Sequence, residues 1–234
     1  LFTIAGGEHH TCAVLDNGSV KCWGVSNYGN LGLEISTSMG DGSGEMGDNL
    51  PVVNLGTGRT ATAIAVGYSH NCAILDNASV KCWGKNDYGQ LGIGSTTKMG
   101  RFSGSMGDNL PVANLGTGRT ATAIAVGYSH TCAILDNAAV KCWGRNDKGQ
   151  LGIDNTDDMG DSSGEMGDSL ATVNLGTGRT AIAITAGVEN TCVQLDNSSF
   201  KCWGSNDQGQ LGIGNNTSMG DASGEMAQLG VIDL

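Results

Sequence analysis

Eight cysteines recur as four pairs, and the two members of each pair lie ten residues apart. The pairs are Cys12 and Cys22, Cys72 and Cys82, Cys132 and Cys142, and Cys192 and Cys202. Each pair brackets two β-prone runs separated by an Asp-Asn break, which is the pattern of a β-hairpin. We expect the Asn of this break to take the left-handed conformation, because Asn tolerates it better than most residues. If the hairpin loop holds an odd number of residues, the cysteines face each other at a Cα separation of about 4.5–5.5 Å, which a disulfide accepts. The spacing therefore predicts four disulfide bonds and an extracellular or other oxidising compartment, whereas reduced buried thiols give no reason for the recurrence.

Carboxylates that could bind calcium are concentrated in one Gly-rich loop of the third quarter of the chain. They are Asp157, Asp158, Asp161, Glu165 and Asp168. Calcium takes six to eight oxygen ligands, but the spacing here matches no EF-hand. The equivalent loop at 98–108 carries Arg101 and Ser105 in place of two of the acids. We expect solvated acidic loops and no cofactor, with calcium as the alternative.

Histidines precede the first cysteine of three pairs by two or three residues, a spacing that could begin a zinc site. These are His9, His10, His70 and His130. The fourth pair has Asn190 at this position, and a ten-residue gap across a hairpin suits a disulfide better than a chelate. We therefore expect structural histidines near a turn. Glu8-His9 is the only adjacent acid–histidine pair, and no nucleophile, base and orienting group recur together, so the sequence predicts a protein that is not an enzyme.

Asn-x-Ser/Thr sequons are glycosylation acceptors if the source glycosylates secreted proteins. Four of the sequons begin at Asn17, Asn77, Asn197 and Asn216. Three of the four fall at the expected hairpin tip, where Asn and Ser are common in any case.

A 60-residue period organises the whole chain. It is marked by Trp23, Trp83, Trp143 and Trp203. Within one unit, 121–126 predicts a buried inner strand, 133–135 and 140–143 the hairpin, and 110–115 an edge strand that tolerates Pro. Four short antiparallel strands repeated at a fixed period are typical of a β-propeller blade. We expect an all-β fold with one repeat domain spanning 1–234, divided at about 1–60, 61–120, 121–180 and 181–234.

The two ends of the chain complement each other in this scheme. The first copy begins inside the inner strand, and the final segment 229–234 matches 50–55. We expect the C-terminal strand to complete the first blade and close a four-bladed ring. An open piece of a larger ring, or a stack continuing into a neighbouring chain, has the same sequence pattern.

Each copy also contains a loop of about fifteen residues, which is long for a blade connection. All eight methionines lie at recurring positions in these loops. We expect the methionines to anchor each loop on its blade.

The run CWGRNDKGQLG at 142–152, preceded by AVGYSHTCA at 125–133, resembles the repeat of the regulator of chromosome condensation family. All four copies are similar to the family pattern. The Asn of the pattern is assigned to Asn27, Asn86, Asn146 and Asn206, and the Gly that follows to Gly29, Gly89, Gly149 and Gly209. The resemblance implies a β-propeller, and the paired cysteines resemble a secreted subset of the family. The founding member's exchange activity on a small nuclear GTPase is the weaker alternative.

The net charge of −11 disfavours nucleic-acid binding, and no stretch is long and apolar enough to span a membrane. We expect a secreted, non-enzymatic interaction or structural module that binds protein, glycan or copies of itself through its repeated loops. The alternative is a calcium-assisted carbohydrate-binding propeller that uses the 154–168 loop and its equivalents. In this alternative a tryptophan, or Tyr28, Tyr88 and Tyr128, stacks on sugars.

Overall fold

The computed structural model describes residues 3–232, which form four three-stranded antiparallel sheets. In blade 1 the strands are β1 (Thr3–Gly6), β2 (His10–Val14) and β3 (Val20–Gly24). In blade 2 they are β4 (Ala61–Val66), β5 (His70–Leu75) and β6 (Val80–Gly84). In blade 3 they are β7 (Ala121–Val126), β8 (His130–Leu135) and β9 (Val140–Gly144). In blade 4 they are β10 (Ala181–Ala186), β11 (Asn190–Leu195) and β12 (Phe200–Gly204). The all-β propeller with four blades is confirmed.

Helical structure is confined to the long loops. Three 3-10 turns occupy Gly47–Asn49, Gly107–Asn109 and Gly167–Ser169, and a single turn of α-helix, α1, spans Glu225–Gln228. Across residues 3–232, no helix has the length and apolarity needed to cross a bilayer.

The hairpin turn between the second and third strands places its left-handed residue one position later than expected. Asn77 keeps a negative φ because its Oδ1 accepts hydrogen bonds from the Ser79 backbone N–H and hydroxyl. The positive φ instead falls on Ala78, at 60°, and on its equivalents in the other blades. The expectation that the Asn would be left-handed was wrong, because its side chain is used to build the turn.

The fourth strand of each blade is reduced to a single point of pairing. The Val53 N–H donates to the Val20 carbonyl, and Ala113 and Val173 repeat the bond to Val80 and Val140. The segment therefore follows its own blade and lies against the open edge of the third strand, instead of preceding the blade as an edge strand.

The same pairing decides where the C-terminal segment lies. The Ile232 N–H donates to the Phe200 carbonyl, so the segment completes blade 4. The expectation that it would complete the first blade was wrong, because the long loop returns to the third strand of its own blade. Asp233 and Leu234, the last two residues of that predicted strand, lie outside the described residues.

The blades pack side by side along an arc. Inner strand β1 lies beside β4, β4 beside β7, and β7 beside β10. Among residues 3–232, no hydrogen bond connects blade 4 to blade 1, so the arc is open. Alternate residues of each blade face opposite neighbours: Ile134 belongs to the core shared with blade 4, whereas Leu135 and Trp143 belong to the core shared with blade 2.

Candidate functional site

All four predicted disulfides form, and each connects residues directly opposite on the second and third strands. The Cα separations are 4.0–4.1 Å, shorter than expected for such a pair. The first three disulfides are buried at junctions between blades. The fourth faces the open end of the arc, where Cys192 is partly exposed.

Three of the four histidines, His10, His70 and His130, form junctions between blades. His70 Nε2 lies 2.9 Å from Thr131 Oγ1, and that hydroxyl donates to the Gln90 carbonyl. Because the Thr131 proton is used in this second bond, Thr131 must accept from His70, which places the histidine proton on Nε2. His130 repeats the contact with Thr191 at 3.0 Å, and His10 Nε2 donates to Asn71 Oδ1 at 2.7 Å.

A buried tryptophan completes each junction. Trp143 Nε1 donates to the Gln90 carbonyl at 3.1 Å, so one backbone oxygen of blade 2 accepts from both Trp143 and Thr131 of blade 3. Trp83 and Trp203 make the equivalent bonds to the Asn30 and Gln150 carbonyls. These contacts are the physical reason that the repeat keeps His, Trp and Thr or Asn at fixed positions.

The asparagine of the repeat pattern fastens the loop that follows it. Asn146 Oδ1 accepts from the Leu151 N–H and its Nδ2 donates to the Asn155 carbonyl. The 60-residue period places Ser26, not Asn27, at this position in blade 1, and the buried Ser26 hydroxyl donates to the Ile35 carbonyl. The assignment of Asn27 was wrong by one position because the neighbouring Asn matched the pattern by type.

Three of the five candidate calcium ligands, Asp158, Glu165 and Asp168, accept hydrogen bonds from separate backbone N–H groups. Asp158 accepts from the Asn146 N–H, Glu165 from the Gly160 N–H, and Asp168 from both the N–H and the hydroxyl of Thr117. Asp157 and Asp161 are not drawn into the same cluster. Within residues 3–232, no three His, Cys, Asp or Glu side chains converge on a common metal position.

Burial and hydrogen bonding shift the pKa values of two of these carboxyl groups in opposite directions. Burial raises the pKa of Asp158, whereas the two hydrogen bonds from Thr117 lower the pKa of Asp168. Thr117 lies 51 residues before Asp168 in the chain, so the lowered pKa of Asp168 reflects a hydrogen bond between two loops and not a shared cation site.

The four predicted glycosylation asparagines are exposed. Three of them are at the hairpin tip, where Asn17, Asn77 and Asn197 also hold the Ser of the same sequon. Their glycosylation stays a prediction.

The three tyrosines proposed to stack on sugars have different neighbours. Lys85 lies 5.3 Å from the Tyr28 ring and Arg145 lies 5.4 Å from the Tyr88 ring, so a cation already occupies one approach to each. Tyr128 pairs with Tyr68, with the ring centroids 4.1 Å apart and the planes tilted by 35°.

This tyrosine pair belongs to a row of side chains that we call the axial rim: Glu8, Tyr68, Tyr128 and Val188. Each rim residue occupies the same position in the turn between the first and second strands of its blade, so all four lie at one end of the inner strands. They border a shallow cavity of about 330 Å³ whose walls are formed by the glycines and valines that end those strands. The sequence analysis named Tyr128 but not the other three rim residues, although the four positions are separated by 60 residues each.

A carboxylate gives the rim its polarity. Hydrogen bonding to Glu8 is the main reason that the pKa of Tyr68 is raised, so the phenol stays protonated. Glu8 also lies 3.4 Å from His9, while Glu189, next to Val188, pairs with Arg145 at 3.3 Å. The rim therefore presents two amphipathic rings beside one acidic end, which suits contact with an apolar or cationic group.

An open arc of four disulfide-stapled blades with a shared axial rim defines a β-propeller repeat module. The model of the Regulator of chromosome condensation (RCC1) repeat matches residues 3–30, 61–90 and 121–150, and a second model of the same repeat matches 79–134. The chain belongs to the RCC1 repeat family.

Related proteins and structures share this repeat over most of the chain. The Ultraviolet-B receptor UVR8 of Arabidopsis thaliana is 27% identical over 216 residues, which cover 90% of this chain and 42% of UVR8. The E3 ubiquitin-protein ligase HERC2 of Homo sapiens is 30% identical over 147 residues, covering 62% of this chain and 3% of HERC2.

Solved structures match the same arc of blades. Yeast RCC1 (Prp20), in a crystal structure with Kap60, superposes with a TM-score of 0.72 at 18% identity, covering 99% of this chain and 48% of that chain. Human WBSCR16 superposes with a TM-score of 0.71 at 16% identity, and the match covers 99% of this chain and 52% of WBSCR16. The chain thus spans about half the length of these structures and less than half of UVR8, and the structural likeness shows the fold alone.

Proposed function

We propose that this chain is a secreted, non-enzymatic binding module that engages a protein partner at the axial rim. The observation that carries the proposal is the Tyr68–Tyr128 pair beside Glu8, at a position where each blade contributes one side chain to the same cavity. Tyrosines supply large, rigid contact area, and a carboxylate at one end selects a basic group. The partner we expect therefore presents an Arg or Lys side chain flanked by apolar residues.

The four disulfides support an oxidising compartment for this activity. The RCC1 fold supports a role in protein interaction; yeast Prp20p was studied for its binding properties to Gsp1p and histones. A net charge of −11 suits a basic protein surface better than an anionic one.

The binding proposal is tested by selecting displayed random peptides on the oxidised chain, with counter-selection on the Tyr68→Ala, Tyr128→Ala double variant. We expect the recovered peptides to be rich in Arg or Lys and to lose at least about tenfold in affinity for that double variant. Tyr28→Ala is the matched control, because Tyr28 lies outside the rim, and it should bind these peptides as the unmodified chain does.

If every selected peptide binds the double variant as tightly as it binds the unmodified chain, the binding surface lies elsewhere. A glycan array screened with and without calcium checks the carbohydrate alternative. Calcium-dependent glycan binding, with no peptide recovered, would replace the proposal by that alternative. Release of labelled GDP from a small GTPase, accelerated by the chain, would support the exchange-factor alternative instead.

The compartment is tested separately by intact mass after alkylation without reductant. We expect no alkylated cysteine among the eight. Free thiols in protein isolated from its source would contradict secretion without bearing on the rim.

A further inference from the structure

The long loops of blades 1, 3 and 4 each bind a carboxylate of their own. In blade 1, Glu45 Oε2 accepts from the Gly40 and Gly42 N–H groups at 2.7 and 2.8 Å. The acceptors in blades 3 and 4 are Glu165, bonded to the N–H groups of Gly160 and Ser162, and Glu225, bonded to those of Gly220 and Ala222. We call each such pair of N–H groups the amide nest of its blade. Hydrogen bonds from Gly42 and Gly40 lower the pKa of Glu45, so the nest favours an ionised carboxylate.

In blade 2 the sequence replaces this carboxylate. Ser105 occupies the position of the three glutamates. Its hydroxyl oxygen accepts from the Gly100 N–H at 3.0 Å, and the hydroxyl donates to the Phe102 carbonyl at 2.6 Å. The Phe102 N–H corresponds to the second donor of the nest, and it has no acceptor among residues 3–232. The loop of blade 2 therefore leaves this donor available to a carboxylate from another molecule.

A second substitution in the same loop reverses its charge. The residue is Arg101, and the other blades carry an acid at this position: Asp41, Asp161 and Asp221. The Arg101 guanidinium donates to the Asn27 carbonyl at 3.3 Å and forms no ion pair within residues 3–232. Lys98 is also in this loop, but it pairs with Asp87 at 2.7 Å. Arg101 is therefore the cation that this loop offers to an anionic ligand.

An aromatic ring and a cavity lie beside this nest. Phe102 is 65% exposed. The other blades have smaller residues at its position: Gly42, Ser162 and Ala222. Arg101 and Phe102, together with residues 34–37 of blade 1, line a cavity of about 400 Å³. Glu34 is the acid in this lining, and its Oε1 accepts from the Met106 N–H at 2.8 Å. The cavity has room for an apolar group next to a carboxylate bound at the nest.

This surface belongs to an internal junction, the one between blades 1 and 2. A side chain on Gly29 of blade 1 would collide with the Gly100–Arg101 backbone, so the loop packs directly on the neighbouring blade. Ser162, the equivalent of Phe102 at the junction between blades 2 and 3, is exposed as well. The exposure of this loop position is therefore a property of the repeat and not of an end blade.

We propose that the long loop of blade 2 binds an acidic residue of a partner polypeptide. A Glu or Asp carboxylate accepts from the Phe102 N–H and pairs with Arg101, while an adjacent apolar residue packs on the Phe102 ring. Both polar contacts are charge-assisted, which makes them stronger than neutral hydrogen bonds. The net charge of −11 opposes the approach of an acidic partner. We therefore expect a local contact, with a Kd on the order of 1 mM for a short peptide.

The site goes beyond the proposed function because it uses this loop and a partner group of opposite charge, and not the axial rim. It is tested by following the backbone amide resonances of the oxidised, isotope-labelled chain while acetyl-Glu-Leu-amide is added to about 10 mM. We expect a saturable shift of the Phe102 N–H resonance. Acetyl-Gln-Leu-amide has the same size without the charge and should leave this resonance unchanged. Acetate supplies a carboxylate without the apolar neighbour and should bind at least about fivefold more weakly.

One substitution should close the site without disturbing the loop. Ser105→Glu gives blade 2 the carboxylate that the other three loops have, so it should occupy the nest and weaken peptide binding at least about tenfold. Because it restores the pattern of the repeat, this variant should fold as the unmodified chain does. Ser163→Glu is the matched control, since it adds the same charge to the long loop of blade 3 and should leave binding unchanged.

Transfer of the site to another blade is the converse test. Asp161→Arg, Ser162→Phe and Glu165→Ser together reproduce the blade 2 residues in the long loop of blade 3. We expect the N–H resonance of position 162 to respond to acetyl-Glu-Leu-amide with an affinity close to that of blade 2. A folded transfer variant with no response at this position would overturn the assignment of these residues.

Three further results would overturn the proposal. Equal binding of the Glu and Gln peptides, or no response of the Phe102 resonance to either, would exclude recognition of a carboxylate at the nest. Acetate that binds as tightly as the peptide would show a site for small anions and not for a polypeptide. Undiminished binding by Ser105→Glu would place the carboxylate outside the nest. The Tyr68→Ala, Tyr128→Ala variant should bind the Glu peptide as the unmodified chain does, so failure at the rim leaves these outcomes unaffected.

Discussion

Two buried histidines tie the stability of this protein to pH. Burial lowers the pKa of His70 to about 3, with smaller contributions from His130, His10 and Lys85, and burial lowers the pKa of His130 to about 4. Each ring donates from Nε2 to a threonine, and neither Nδ1 has a hydrogen-bond partner among residues 3–232. Protonation of Nδ1 would therefore bury an unpaired N–H and a charge together.

Acid should destabilise the fold well above the pH at which carboxylates titrate. The unfolded histidines bind protons below about pH 6.5 while the folded ones stay neutral, so stability is full above that pH and falls as the pH is lowered toward the folded pKa values. We expect a loss of about 1.4 kcal/mol per pH unit for each histidine between pH 6.5 and 5. Denaturant unfolding across this range measures the slope, and His70→Gln with His130→Gln should flatten it. An unchanged slope in that variant would contradict the assignment.

The four disulfides differ in solvent exposure, although the repeats that contain them have nearly identical sequences. The Sγ–Sγ bonds of blades 1, 2 and 3 are covered by the next blade, while Cys192 faces the open end. We expect mild reductant to break the Cys192–Cys202 bond first, because thiol–disulfide exchange requires access to sulfur. Timed alkylation followed by peptide mass spectrometry gives the order. Simultaneous loss of all four would indicate that reduction proceeds only through global unfolding.

At the scale of the elements, the hairpin turn contains a removable strain. Ala138 has a φ of 62°, a conformation that costs an L-residue roughly 1–2 kcal/mol. Blade 1 has Gly18 at the same position. Sequence alone predicted the hairpin and its cysteine register, but it assigned the left-handed position to the Asn because the Asn side-chain hydrogen bonds were not visible.

Ala138→Gly should therefore stabilise the protein by roughly 0.5–1 kcal/mol, after allowance for the greater chain entropy of glycine. The denaturant midpoint measures the effect. Ala139→Gly is the matched control one residue later, outside the positive-φ region, and it should destabilise. Equal destabilisation by both substitutions would show that the turn is not strained at Ala138.

At the scale of the whole molecule, stability should be highest in the middle of the arc. Within residues 3–232, blades 2 and 3 each pack against two neighbouring blades, whereas blades 1 and 4 each pack against one. In a repeat array each unit is stabilised mainly by its neighbours, so the end blades open more readily.

Amide hydrogen exchange at low protein concentration should show this gradient. We expect slower exchange in β5 and β8 than in the equivalent strands β2 and β11. Uniform protection at low concentration would contradict the open arc.

The sequence by itself determined the repeat, the blade and the disulfide pairing. Each is a local property: the 60-residue period, the alternation within strands and the ten-residue cysteine spacing specify contacts between residues close in the chain. Only the tertiary structure decided that the last segment completes blade 4, that the histidines join blades, and that the acidic side chains cap separate turns. Those outcomes depend on which edge a long loop returns to and on contacts between side chains about 60 residues apart, such as His70 and Thr131. An identical repeat offers the same residues at every junction, so its sequence pattern fits an open arc and a closed ring alike, and the packing of whole blades makes the choice.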